Sequence, residues 1–297
     1  MTSLKIKGLK AKILTNYPLN KKNWLGVGGP AQYYIEPNNE EDLKLIFQNH
    51  GDLPLIFLGA GSNVLIRDGG IDGIVIHLGK NFKHYTIKEN QISCQAGILL
   101  SEIAKIAAQN GLSGFEFLTD IPGSLGGGLK MNAGAYGSDL ASITKQITAI
   151  DEHGKTHKIN PQKTDFFGYR STNIPDTWMI LSATLQGEPT PTEEIKKKMK
   201  QFHEQRMQTQ PHGVKTAGST FKNLPNIAAW KLIDAAGLRG HIHNGAKMSE
   251  KHSNFMINFN NATATDLEEL GEFIRTTVAT KTGHMLEWEI KCIGRRK

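Results

Sequence analysis

Between Gly111 and Gly137 the chain carries eight glycines in 27 residues, against 23 in the remaining 270. A segment with so little side chain cannot build an apolar core of its own. Its backbone must lie against something, a packed element or a ligand, because glycine is the residue that permits positive φ and close approach. Within it, Gly114 to Gly137 adds the polar Ser124 and Asn132 and little bulk. A second glycine-rich turn, Gly59-Ala60-Gly61-Ser62-Asn63, follows the apolar run Leu53 to Leu58. The third glycine of a dinucleotide fingerprint would fall on Val64, and Val64-Leu65-Ile66 favours a strand where that fingerprint needs a helix. What remains is a turn between strands whose successive N–H groups can cradle an anion. Two backbone-lined loops suit a long ligand. An extended dinucleotide such as FAD would lay its pyrophosphate on one and its flavin along the other.

The 297 residues suggest two domains. With 38% hydrophobic and 21% charged residues, disorder and collagen are excluded. No apolar run approaches the ~18 residues of a membrane span, and Met1 to Asn20 lacks a signal-peptide core, so a cytoplasmic protein is expected. Two cysteines, Cys94 and Cys292, suggest neither a disulfide framework nor a zinc site, so redox chemistry would need a borrowed cofactor. A net charge of +7 favours phosphate-bearing ligands without naming one.

Strands and helices alternate irregularly, which predicts an α+β fold. Ile74-Val75-Ile76 reads as a strand, and Leu99 to Asn110 as a helix ending at Gly111. A composition shift at Gly187-Glu188-Pro189-Thr190-Pro191 puts a domain boundary between 189 and 190, before a helix with a capping box from Thr190 to Glu193 and a stripe of Ile195, Met199 and Phe202. Ala229 to Ala236 predicts another helix, and Thr265 with Glu268 a capping box for a third. On the first of these helices the Lys196–Lys198 run with Lys200 reads as a solvated face. Leu286, Trp288, Ile290 and Cys292 alternate with Glu287, Glu289 and Lys291, so a strand is expected with both glutamates on one face. His241, His243 and His252 read as surface or hydrogen-bonding histidines, with no metal expected.

Several motifs occur in a fixed order: Val27-Gly28-Gly29-Pro30-Ala31, the 59–63 turn, Ile121-Pro122-Gly123-Ser124-Leu125-Gly126-Gly127, Met131 to Gly137, Phe167-Gly168-Tyr169-Arg170, Gly218 to Asn223, and Leu286 to Ile290. Together they resemble the UDP-N-acetylenolpyruvoylglucosamine reductase family, in its compact type, from about Asn23 to Gly294. The resemblance implies a two-subdomain FAD-binding fold similar to vanillyl-alcohol oxidase (PCMH-type) over 1–189, split near 85, and a substrate-binding α+β domain over 190–297. It implies hydride from NADPH by way of FAD to the enolpyruvyl ether of a UDP-sugar in peptidoglycan synthesis, with no nucleic acid or membrane partner and a monomeric chain. For the cofactor it implies Gly28, Gly29, Gly59, Ala60, Gly61, Ser62, Asn63, Ile121, Pro122, Gly123, Ser124, Gly126, Gly127, Asn132, Ala133 and Gly134.

The reaction needs a grip on the substrate carboxylate and a proton for carbon. Arg170 offers paired donors for the first. Ser219, in a polar turn, is by resemblance the proton donor. The family motif selects Glu289 over Glu287 as the acidic residue. Tyr136, Lys222, Asn223 and His252 are implied around the sugar nucleotide. The chain departs from the family at Gln32, Thr119-Asp120, Leu224 and His243 to Lys247. A flavin oxidase of the same fold and a sugar-nucleotide binding module are the competing readings.

Overall fold

The computed structural model describes residues 4–162 and 165–297. The chain divides into two compact units. One holds the described residues of Met1–Thr15, Tyr33–Ala60 and Gly73–Arg206; the other holds Asn16–Gln32, Gly61–Asp72 and Met207–Lys297. Each has its own apolar core.

In the first unit, a five-stranded antiparallel sheet runs in the order Thr156–Ile159, Thr144–Ile150, Met179–Gln186, Gln91–Gln95, Tyr85–Lys88. The central strand Met179–Gln186 buries alternate residues from Leu181 onward, the period of a half-covered sheet. Helix Leu100–Gln109 sets Leu100, Ile103, Ala104 and Ala107 into this core and stops before Gly111, whose φ of 64° suits a helix end. Strand Leu55–Leu58 pairs in parallel with Ile71–His77, Leu55 opposite Ile74. Helix Glu40–Asn49 is capped by Asn39, which accepts from the Asp42 N–H at 2.9 Å.

The glycine-dense segment is not a loop throughout. Leu125–Lys130 is a short helix, and its glycines divide by what lies beside them. A Cβ on Gly126 would come within 3.1 Å of the Ala96 Cβ, and one on Gly128 within 3.0 Å of Leu100 and Leu140 methyls. Both glycines therefore serve helix packing. Gly127 is exposed, with only the Ser124 Oγ at 3.8 Å.

In the second unit, strands Lys215–Ser219, Phe255–Asn258, Ala246–Met248 and Ile242–His243 make an antiparallel sheet in that order. Helices Ala229–Ala235 and Ala264–Thr282 contribute Leu232, Ile233, Leu267, Leu270 and Ile274 to the core. Strand Val64–Ile66 pairs in parallel with Lys291–Ile293.

Three local expectations shift. Helix Thr192–Thr209 starts beyond Thr190, whose hydroxyl donates instead to Ser113 Oγ at 2.8 Å, while Glu193 pairs with Lys196; the expected capping box does not form. The third helix is capped two residues early, by Thr263 with Asp266, because Asp68 accepts from the Thr265 N–H and hydroxyl and Glu268 is held by Arg67 and Arg296. The last strand spans only Lys291–Ile293. Before it, Trp288 makes a single bridge with Phe221, while Leu286 and Ile290 are buried and Glu287 is exposed. The division between units after Arg206 lies 17 residues beyond the boundary read from composition, because Met199 and Phe202 pack on the first core.

Candidate active site

In the first unit Gly59, the start of the 59–63 turn, lies beside the second glycine segment. A Cβ on Gly59 would sit 2.9 Å from Ser124 Oγ and 3.7 Å from Gly127 Cα. Ser124 is buried, and the turn ahead of the short helix is tied back through Leu100 N–H to Gly123 O at 3.0 Å and Leu125 N–H to Ile98 O at 2.9 Å. Gly59 and Gly127 thus bring backbone together beside Ser124, with half-buried Ile121, Pro122 and Gly123 just ahead of it in the chain. This cradle, which side chains would fill, fits the flat and phosphate-bearing parts of FAD.

The next segment is spent differently. Asn132 is buried at φ 41°, and its amide donates to Asp139 and Gly168 O while accepting from Ala141 N–H. Its side chain is therefore a strut; any cofactor contact falls to its backbone. Ala133 donates to Gly128 O and accepts from Leu140, and a Cβ on Gly134 would meet Ser138 O at 2.6 Å. Arg170 occupies the two-residue turn between Phe167–Gly168 and Ser171–Thr172, at φ 55°. A non-glycine residue held there marks backbone strain, common at functional sites. Its guanidinium lies 5.1 Å from the Tyr169 ring and 3.4 Å from Gly134 O.

Tyr136 stacks on Phe202, centroids 4.1 Å apart, and its hydroxyl donates to Phe202 O at 2.9 Å. Burial pushes the phenol's pKa up and the Arg206 charge opposes this; burial likewise lowers Arg206. Sequence reasoning passed over Arg206, although it continues the Ile195, Met199, Phe202 stripe at the next helical position. Asp120 lies 3.1 Å from His203 Nδ1. The lysine run is not wholly solvated, because Lys198 reaches the buried Glu116 carboxylate at 3.6 Å.

In the second unit, Gly28 and Gly29 serve backbone packing. A Cβ on Gly28 would fall 2.5 Å from Ile66 O, and one on Gly29 2.3 Å from Asp68 O. Gly61, at φ 68°, lies so close that a Cβ would be 2.0 Å from Lys22 O. Asn23 organises that approach, donating to Leu19 O and Val27 O and accepting from Gly26 N–H. Ser62 and Asn63 are half-buried.

Ser219 ends a strand whose register slips between Thr216 and Ser219. Such a bulge re-aims the residue that follows it. Its neighbour Thr220 is fully buried: the hydroxyl accepts from Met256 N–H at 3.0 Å, and the N–H donates to Asn254 O at 2.7 Å. Ser219, by contrast, is half-buried. Glu289 is half-buried and its N–H donates to Thr220 O at 2.9 Å. Glu287 instead is exposed and pairs with Lys222 at 3.0 Å, which holds its carboxyl below the usual range. Asn223 accepts from Ala229 N–H, starting the helix Ala229–Ala235. His252, edge-on to Trp230 and Phe255, has its pKa lowered by burial and is neutral at pH 7. Asn254, which sequence reasoning missed, bonds both Phe221 N–H and Phe221 O, fixing the turn after Ser219. Burial pushes the thiols of Cys94 and Cys292 up to about 12 and about 11, so neither is an activated nucleophile.

The cradle and the Thr220–Glu289 backbone link coincide with homology along nearly the whole chain. Residues 31–160 match the FAD binding domain family, and 210–293 the C-terminal domain of UDP-N-acetylenolpyruvoylglucosamine reductase. The UDP-N-acetylenolpyruvoylglucosamine reductase of Rickettsia conorii is 45% identical over 288 residues, 97% of each chain, and that of Rickettsia typhi is 44% identical over the same share. A crystal structure of the reductase from Thermus caldophilus matches with TM-score 0.83 at 33% identity, covering 96% of this chain and all of that one.

The chain belongs to the UDP-N-acetylenolpyruvoylglucosamine reductase family.

Membership makes the fold a FAD-binding α+β fold with the reductase's own C-terminal domain, as the motif order implied. It makes the protein a flavin-dependent oxidoreductase, setting aside the binding module. Among the described residues no helix is long and apolar enough to cross a membrane.

Proposed function

We propose that in this reductase Ser219 donates the proton to carbon, Arg170 grips the substrate carboxylate and Glu289 supports the developing charge. The reaction reduces the enolpyruvyl ether of UDP-N-acetylglucosamine to UDP-N-acetylmuramate for peptidoglycan synthesis. Bound FAD supplies the hydride, which it takes from NADPH. Gly59, Ala60, Gly61, Ser62 and Asn63, with Ile121 to Ser124 and Gly126-Gly127, would hold it chiefly through backbone.

Hydride addition leaves excess electron density on the carbon bearing the carboxylate. Arg170 stabilises this enolate-like charge through paired N–H donors. A serine is a weak acid, yet it protonates so basic a carbon when geometry is fixed. The observation that supports the assignment is the locking of the Thr220 hydroxyl into the core directly after a bulge, beside a Ser219 that is only half-buried. A carboxyl near the substrate carboxylate is driven toward its protonated form, so Glu289 can donate a hydrogen bond. Lys222, Asn223, Tyr136 and His252 are assigned to the sugar nucleotide. Lys222 must exchange its Glu287 partner for a phosphate to do so.

The reading extends to a monomer acting in the cytoplasm with no nucleic-acid or membrane partner. Anaerobic mixing tests the whole: NADPH bleaches the flavin, and the enolpyruvyl sugar nucleotide restores its colour with one product formed per flavin. Colour restored by oxygen alone would favour the oxidase.

A further inference from the structure

We propose that Asn63 is a positioning residue for Glu289, its side chain serving the carboxylate-bearing segment rather than the cofactor. The inference rests on the reading of Glu289 given above. The Asn63 Nδ2 donates to the Glu289 carbonyl at 3.0 Å, and the Asn63 carbonyl accepts from Lys291 N–H at 3.1 Å. On its other side, the Glu289 N–H is held by Thr220 O at 2.9 Å, one residue past Ser219. The peptide units flanking Glu289 are thus gripped from two directions, by the glycine turn and by the Ser219 turn.

The grip matters because no sheet ladder reaches Glu289. The strand begins at Lys291, and upstream only Trp288 bridges to Phe221. A residue between a bridge and a strand keeps its side-chain direction only as long as its peptide plane is fixed. Asn63 supplies that with a donor on a short arm. Aspartate has the same shape and no donor, and alanine has neither. The backbone N–H groups of Gly61 to Asn63 remain the part of the turn suited to phosphate, so one motif serves both the cofactor and the acidic residue.

The test uses the holoenzyme with Asn63→Asp, Asn63→Ala and Asn63→Gln, each checked for FAD content and melting temperature. Asn63→Asp and Asn63→Ala keep their FAD and bleach with NADPH within about twofold of the native rate, yet reoxidise with the enolpyruvyl substrate about tenfold or more slowly, the scale set by misplacing a catalytic group. Asn63→Gln, with an amide donor on a longer arm, loses less than Asn63→Asp. In a Glu289→Gln background the Asn63→Ala change adds less than about twofold, because it acts through the group already removed. Loss of FAD, slower bleaching, equal losses in Gln and Asp, or full additivity with Glu289→Gln overturns the proposal. A native rate in Asn63→Asp beside a slow Glu289→Gln sinks the positioning role alone; a native rate in Glu289→Gln sinks the reading of Glu289 itself.

Discussion

Alanine at Gly127 and at Gly61 should act in opposite directions on the folded chain, although both glycines belong to the cofactor motifs. At Gly61 the new Cβ would lie 2.0 Å from Lys22 O, about 1 Å inside any real contact, at φ 68°. The left-handed backbone alone costs an L-residue roughly 1–2 kcal/mol, and backbone must move to relieve the clash, so a loss of about 3 kcal/mol or more is expected. At Gly127 the Cβ meets only Ser124 Oγ at 3.8 Å, in a helix. Replacing a helical glycine with alanine gains about 0.5–1 kcal/mol, a rise of roughly 1–3 °C in melting temperature for a unit of this size. That gain appears only in the apoprotein. Gly127 borders the cradle assigned to FAD, its Cα 3.7 Å from where a Cβ on Gly59 would stand, so the added methyl should weaken FAD at least about tenfold, or 1.4 kcal/mol. Melting of FAD-stripped protein gives the first quantity, and titration of flavin fluorescence the second. Native FAD affinity in a stabilised Gly127→Ala would refute the cradle, and a native melting temperature in Gly61→Ala would refute the packing argument.

Glu289→Gln should slow substrate reduction on the order of a hundredfold, while Glu287→Gln, which releases the half-buried Lys222, should leave the turnover number within about threefold; stopped-flow reoxidation ranks them. Glu268 is held by Arg67 at 2.9 Å and Arg296 at 2.7 Å, which depress its pKa in the folded chain. Its contribution is therefore full above the unfolded value of 4.5 and lost as pH falls through the lower folded value, so the acid side of the melting profile should flatten in Glu268→Gln. Neutral His252 has the reverse chemistry and the same slope: burial lowers its pKa, the unfolded chain binds the extra proton, and stability should rise as pH climbs to its ordinary 6.5. His252→Gln should remove that rise from the melting profile.

What was legible follows from the range of each signal. The glycine turn at 59–63 and the strand at 64–66 are set by neighbours a few residues apart, and both stand where spacing puts them. The capping boxes at Thr190 and Thr265 failed for want of distant information: Ser113 and Asp68 took hydroxyls that local pattern had assigned to helix ends. Alternation in the last strand separated buried from exposed residues but left Glu287 and Glu289 equal. Contacts separate them, since Lys222 takes one and the Thr220 carbonyl binds the other's N–H. The bulge before Ser219 is marked locally only by Gly218, at φ 81°, and the bond from Asn63 to a carbonyl 226 residues away leaves no local mark at all. Glycine density announced an unusual segment; only the packing shows that Gly126 and Gly128 serve the helix while Gly127 stays open.

Ser219→Ala carries the central claim most directly, because reduction of the flavin by NADPH needs no proton donor to carbon and completion of the enolpyruvyl reduction does. The variant should bind FAD and bleach with NADPH at close to the native rate, then reoxidise with the enolpyruvyl sugar nucleotide roughly a thousandfold or more slowly, the upper range for a placed proton donor. Reoxidation at the native rate would pass the proton to another group and contradict the assignment, and a failed NADPH half-reaction would make Ser219 structural.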